Sequence, residues 1–130
     1  MSVIRVDNFG PSAGGTTYSA RGIAKAWVNF NGTGTIAARD SENVSSLTDN
    51  ATGDYTVNLS NGMSDGNYFA GGAISLSGGG VTTALVHIAS SQSANVAPTA
   101  SALRLSVFKR SDATAIDSDY SMLSIHGDLA

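Results

Sequence analysis

Short runs of alternating apolar and polar residues recur along the chain, separated by glycine, asparagine, aspartate and serine, and no segment keeps the apolar period of a helix. The pattern predicts strands over Gly22 to Phe30, Thr35 to Asp40, Asp54 to Leu59, Tyr68 to Ser77, Val81 to Ala89, Ala102 to Lys109 and Tyr120 to His126, with a short first strand at Val3 to Val6. In DYTVNLS, Tyr55, Val57 and Leu59 share one side and Thr56 and Asn58 the other, which describes a strand with one wet face. In GIAKAWVNF, Ala24, Ala26, Val28 and Phe30 line one side, while the other mixes Ile23 and Trp27 with Lys25 and Asn29. Apolar groups on both sides predict a strand covered twice, the second time by a neighbouring subunit. ALRLSVFKR behaves similarly, with Leu103, Leu105 and Val107 on one side and Arg104 beside Phe108 on the other.

Asn31-Gly32, Asn61-Gly62 and the triple glycine at 78–80 supply the positive-φ positions of tight reversals, so hairpins and antiparallel pairing are expected there. Residues 10–21, 90–99 and 110–118 are small, polar and unpatterned, and read as a linker and two surface loops. The expected fold is all-β, an antiparallel β-sandwich of about eight strands over residues 22–130, preceded by a short extended anchor and linker over residues 1–21.

Composition narrows the class. A chain of 130 residues has the size of one domain, and 42 % hydrophobic against 13 % charged residues sets it apart from disordered chains. Much of the apolar share is alanine and only 7 % of residues are aromatic, so each core position buries little area and association with identical partners is expected. A net charge of −3, with Lys109-Arg110 the sole adjacent basic pair, opposes a nucleic-acid partner. No run approaches a membrane helix, and MSVIRVDNFG lacks the apolar core of a secretory signal, so membrane insertion is not expected and the chain reads as made in a cytosol and released, if at all, by lysis. The absence of cysteine excludes disulfides and thiolate metal sites.

Several segments imitate chemistry. GMSDG at 62–66 satisfies the G-x-S-x-G pattern, with Asp117 and His126 following in hydrolase order, but strand-like sequence lies on both sides where a nucleophile elbow needs a helix. GTGTIA at 32–37 imitates a dinucleotide fingerprint yet runs into RDSENVSS, and reads as a turn. His87 and His126 have no metal-pairing spacing and read as strand residues with hydrogen-bond partners. Asp112, Asp117 and Asp119 offer oxygen ligands in no calcium-loop pattern and read as a solvated loop. The acceptor-like triplets at Asn31, Asn43, Asn50 and Asn58 reflect turn composition. Trp27, Tyr55, Tyr68 and Tyr120 are of the type that stacks on sugar rings; Trp27, in mid-strand, reads as core, while Tyr68 and Tyr120 start strands beside loops. No catalytic residue, cofactor or metal ligand is assigned.

The segment KAWVNFNGTGTIAARDSENVSSLTDNATGDYTVNL, Lys25 to Leu59, resembles a module of bacteriophage tail fibres and related virion proteins. The likeness continues through Met63, Asp65, Asn67 and Tyr68, where such modules show a Met-Pro-Asp-Ala-Asn-Tyr turn, and through SALRLSV at Ser101 to Val107. Ser64 and Gly66 stand where that turn has proline and alanine, positions without a chemical role. The resemblance implies a β-sandwich head of a homotrimeric fibre on the virion surface, often engaged with host-surface polysaccharide or protein. Only about two dozen residues precede the likeness, too few for a fibre shaft. The reading is therefore a non-enzymatic, tail-fibre-like receptor-binding protein, or alternatively a capsid decoration or head-fibre protein of purely structural role. Receptor contacts are expected from loops at one end, at Asn61, Asp65, Asn67, Tyr68, Gln92, Asn95, Asp112, Asp117 and Tyr120, and attachment to another virion protein from Val3, Ile4, Val6 and Phe9.

Overall fold

The computed structural model describes residues 8–9, 13–16, 18–19, 22–76 and 84–130. Its strands are β1 (Asn8–Phe9), β2 (Tyr18–Ser19), β3 (Ala24–Asn31), β4 (Ala37–Glu42), β5 (Val44–Ala51), β6 (Asp54–Leu59), β7 (Phe69–Ser75), β8 (Ala84–Ile88), β9 (Ala102–Lys109) and β10 (Tyr120–His126), and no described segment is an α-helix. Among the described residues β1 and β2 pair only with each other. The other eight form two antiparallel four-stranded sheets, a front sheet ordered β4-β3-β10-β7 and a back sheet ordered β5-β6-β9-β8. The expected all-β sandwich is the observed one.

The alternation read along the sequence places the core. Ala26, Val28 and Phe30 of β3 and Leu123 and Ile125 of β10 meet Tyr55, Val57 and Leu59 of β6 and Leu103, Leu105 and Val107 of β9. Phe30 and Tyr55 make an edge-to-face contact, with ring centroids 5.3 Å apart.

Connectivity departs from the expected series of hairpins. Asn31-Gly32 does open a hairpin, β3 to β4, and the Asn31 side chain closes it through Thr33. Asn61-Gly62 does not: β6 lies in the back sheet and β7 in the front, so this turn carries the chain between layers. The triple glycine at 78–80 falls outside the described residues; β7 belongs to the front sheet and β8 to the back sheet. The tight turn that sequence reading missed is Thr52-Gly53, between β5 and β6, where Gly53 has φ +63° and an added Cβ would stand 2.6 Å from the carbonyls of Val107 and Ile116.

β5 itself was not expected. VSSLTDNA half-buries only Val44 and Leu47, because an edge strand facing polar neighbours needs no alternating apolar row. The predicted strand Val3 to Val6, and with it the anchor residues Val3, Ile4 and Val6, lies outside the described residues, and of Phe9 only the backbone pairing with Tyr18 is described. Between β4 and β5 the chain changes sheets through one residue, Asn43, at φ 56°. Its side chain receives the Asn61 amide at 2.7 Å and donates to the Lys25 carbonyl at 3.1 Å, so that the corner is tied to both layers.

Candidate functional site

The candidate site is the outer surface of the front sheet, and strand register builds it. β10 lies between β3 and β7, and its outward residues Tyr120, Met122, Ser124 and His126 form the central row. Met122 stands opposite Asn29 of β3 and Ala73 of β7, Ser124 opposite Trp27 and Gly71, and His126 opposite Phe69. The β7 neighbours Gly71 and Ala73 are small, so the sheet dips beside the indole and thioether. The result is an open trough of about 460 Å³, lined by Trp27, Asn29, Gly71, Ala73, Met122, Ser124 and the adjoining backbone.

No described residue covers this surface fully. Trp27 is 39 % exposed, Met122 40 %, Tyr120 42 % and Phe69 67 %. The expectation that Trp27 is core is therefore corrected: in an eight-residue strand whose inward row is Ala26, Val28 and Phe30, the intervening residue must face out. Arg39 reaches over the Tyr120 ring at 4.0 Å and donates to the Asp119 carbonyl, closing one end of the face with a cation.

The accessible lining of the trough is almost wholly apolar, and the polar groups beside it are engaged or buried. His126 Nδ1 lies 3.1 Å from the Gly22 carbonyl, which can only accept, so Nδ1 carries the proton. His126 Nε2 lies 2.7 Å from Ser124 Oγ, so the imidazole is held between β10 and the Gly22 carbonyl. Asn29 Oδ1 is buried and has no hydrogen-bond partner among the described residues. A buried acceptor left unmet costs about 1–3 kcal/mol.

The residues expected to contact a receptor do not gather at one end. Asn61, Asp65, Asn67 and Tyr68 lie where β6 ends and β7 begins, the last three around a smaller hollow shared with Gly127 and Asp128. Asp112 and Asp117 lie at the opposite end, before β10, and Tyr120 is the first residue of β10 there. Gln92 and Asn95 belong to the loop between β8 and β9, which folds over the back sheet.

Several of these groups have internal partners. Asp117 Oδ1 accepts the Gly53 amide at 2.7 Å and the Tyr55 hydroxyl at 2.9 Å, pinning the loop over residues 110–118 to the β5–β6 turn. Tyr55 is fully buried, so it offers no ring to a ligand; burial first, and Asp117 second, push its hydroxyl pKa up. Tyr68 bonds the Thr99 and Ala102 carbonyls, with a pKa raised by burial. The exposed Asp65 and Asp112 accept the amides of Asn67 and Thr114 two residues on, which lowers both pKa values. Gln92 donates from its side chain to the Thr52 carbonyl.

The hydrolase-like constellation is not assembled. Ser64 sits in a loop with its amide on the Asp128 carbonyl, while Asp117 serves Gly53 and Tyr55, and His126 serves Ser124 and Gly22. GTGTIA is the β3–β4 turn followed by the start of β4, and Gly32 packs so tightly under Tyr55 that an added Cβ would meet its hydroxyl. Among the described residues no group of three or more histidine, aspartate or glutamate side chains could hold a metal ion.

The site residues Asn29, Gly71, Ala73, Met122 and Ser124 were missed from sequence. The signal available was the two-faced row of GIAKAWVNF, repeated in YSMLSIH, where Tyr120 and Met122 share an outward side with Ser124 and His126. The molecule thus defines an antiparallel β-sandwich with one bare, aromatic face. Comparison with known proteins found no matching family model, no matching curated relative and no matching solved structure.

Proposed function

We propose that the chain is a non-enzymatic surface module of a tailed bacteriophage particle, tail-fibre-like, that docks on the host cell through the outer face of its front sheet. The observation that carries the reading is the exposed row of Trp27, Met122, Tyr120 and Phe69 beside the trough. Contiguous apolar surface on a small soluble domain marks an interaction site, and aromatic residues supply contact area at small entropic cost. The resemblance of Lys25–Leu59 to phage fibre modules supports the setting, and with it a homotrimer on the virion surface, attached to another virion protein through the N-terminal residues.

The test is direct. Fluorescently labelled full-length protein, its oligomeric state fixed by light scattering, is added to a panel of bacterial strains. Saturable labelling of some strains, competed by unlabelled protein and weakened by Trp27→Ala, is the expected result. Labelling of none, together with capsids that lose stability when the gene is deleted, would replace docking with a structural decoration role.

A further inference from the structure

We infer that the free edge of β7 takes a fifth strand, supplied by residues 2–6 (SVIRV) of the same chain and antiparallel to it. The inference goes beyond the docking reading and does not depend on it, because it concerns the edge of the front sheet and not its outer face.

The sheet edges are of two kinds. β4 carries Arg39, Asp40 and Glu42 and shifts register on β3 between Asn29 and Phe30, while β5 carries Asp49 and two register shifts of its own. Charges and bulges are the devices that keep an edge from recruiting another strand. β7 has neither: FAGGAIS brings no charge and no proline, and it pairs with β10 over seven residues without a shift. Among the described residues nothing pairs with its other side, where alternate amides and carbonyls point away from β10. The inward row is open at the same place, since Ala70 and Ile74 pack against the core while Gly72 between them is exposed. β8 shares this lack of protection but belongs to the back sheet.

The chain's own N-terminus arrives at the β7 edge. Gly22, just before β3, has its carbonyl 3.1 Å from His126 Nδ1, and His126 is paired with Phe69, the first residue of β7. Ser19 precedes Gly22 by three residues, about 10 Å of extended chain, and its ladder partner is Asn8. Residues 1–7, which lie outside the described residues, therefore join the molecule near the Phe69 end of β7. A segment that ends there and lies along β7 runs antiparallel to it, as every other pairing in the sheet does. Five residues span about 17 Å, within the length of the seven-residue β7.

The two-residue period sets the register. Val3 and Arg5 share one side of the segment, and Ile4 and Val6 the other. Arg5 belongs in water, so Ile4 and Val6 turn inward, Ile4 opposite Gly72 and Val6 opposite Ala70, which puts Val3 opposite Ala73 on the outer side. A segment tethered beside the edge competes at high effective concentration, an advantage that a strand from a second copy lacks. Attachment of the N-terminus to another virion protein would then exchange one strand partner for another.

The chain has no cysteine, so an introduced pair reports a single contact. In the full chain, Val3→Cys is combined in turn with Ala73→Cys on β7 and with Ala38→Cys, exposed on the opposite edge β4, and each protein is oxidised mildly. The expected result is a disulfide within one chain at Ala73→Cys and none at Ala38→Cys, read on non-reducing gels and by peptide mapping. Hydrogen exchange gives a second reading. Ile4→Asp sets a carboxylate on the inward row and should speed exchange of the β7 amides about tenfold or more, with β9 still protected.

Absence of the Ala73→Cys disulfide, an equal yield at Ala38→Cys, or β7 amides that exchange alike in wild type and Ile4→Asp overturns the inference. A disulfide at Ala73→Cys that joins two chains overturns it too, by giving the edge to a neighbouring copy. Should Ile4→Asp loosen β9 as well, the cysteine pairs decide, because they leave Ile4 in place. Neither readout involves host cells, so failure here leaves the docking reading standing, and failure of cell labelling leaves the strand in place.

Discussion

The two outer faces of the sandwich have the same strand count and different chemistry. On the back sheet the outward rows of β5 and β6 are polar and cross-linked, with Leu85, His87 and Phe108 confined to the β8 edge: Asn58 bonds Ser46 at 3.1 Å and Thr48 at 3.2 Å, and Asn50 bonds Thr56 at 2.9 Å. At their centre Asp54, its side chain 4 % exposed, holds Arg104 in a fork with Nε at 2.7 Å and Nη2 at 2.9 Å, and accepts the Gln92 amide of the covering loop at 3.3 Å. On the front sheet the corresponding rows are Trp27, Met122, Tyr120 and Phe69, open to solvent. The contrast teaches a division of labour: the back face holds the fold together, and the front face is available for contact.

The largest effect that sharpens this comparison is expected from Arg104→Ala. Asp54 is buried on the back face, and removing Arg104 leaves its charge with only the Gln92 amide and the Asn50 side chain; breaking a fully buried pair costs about 3–5 kcal/mol, and with Arg104 a third exposed a loss of about 1–3 kcal/mol is expected. Urea unfolding of wild type and variant reads it. A loss below about 0.5 kcal/mol would break the claim that this face carries the fold.

Next in size is the pH dependence of the same pair. Burial raises the Asp54 pKa, but the hydrogen bonds from Arg104 and the Gln92 amide outweigh burial, and the net shift is downward. A carboxylate with a folded pKa below its unfolded value contributes stability that is present above the unfolded pKa, near 3.9, and is lost as pH falls through the folded pKa. Wild type should therefore lose stability below about pH 4, and Asp54→Asn should show a flatter acid limb. Chemical unfolding across pH 2–7 compares the two, and parallel curves would remove Asp54 from the account.

The smallest effect belongs to the front face. Phe69→Ser removes a ring that is 67 % exposed and should change stability by no more than about 0.5 kcal/mol in a monomer. A much larger loss of melting temperature, scaling with protein concentration, would mean that the bare face is covered by another copy.

Most of the fold was legible in the sequence because it was written in alternation. β3, β6, β9 and β10 each carry three or more core residues or a clear two-faced row, and their predicted limits lie within two residues of those observed. β5 was not legible, since VSSLTDNA meets only polar cross-strand partners on its outer side and leaves no apolar period. Layer changes were not legible either. Asn61-Gly62 has the composition of a hairpin turn, and only the pairing of β6 with β9 and of β7 with β10 reveals that it connects sheets. The site was half legible: GIAKAWVNF announced two apolar faces, but which one met the opposite sheet depended on Phe30 packing against Tyr55, a contact between distant strands. The loop aspartates drew attention as exposed acids, yet Asp117 is a structural brace for Gly53 and Tyr55.

The strict two-residue period of β3 and β10 also makes the chain a scaffold for directed evolution. Positions 27, 29, 122 and 124 can be randomised together with 71 and 73 on β7, while the inward positions 26, 28, 30, 123 and 125 keep their residues untouched. A library built on those six codons would vary the outer surface of the front sheet without rewriting what folds it, and the Asp54–Arg104 fork on the far side would be common to every member.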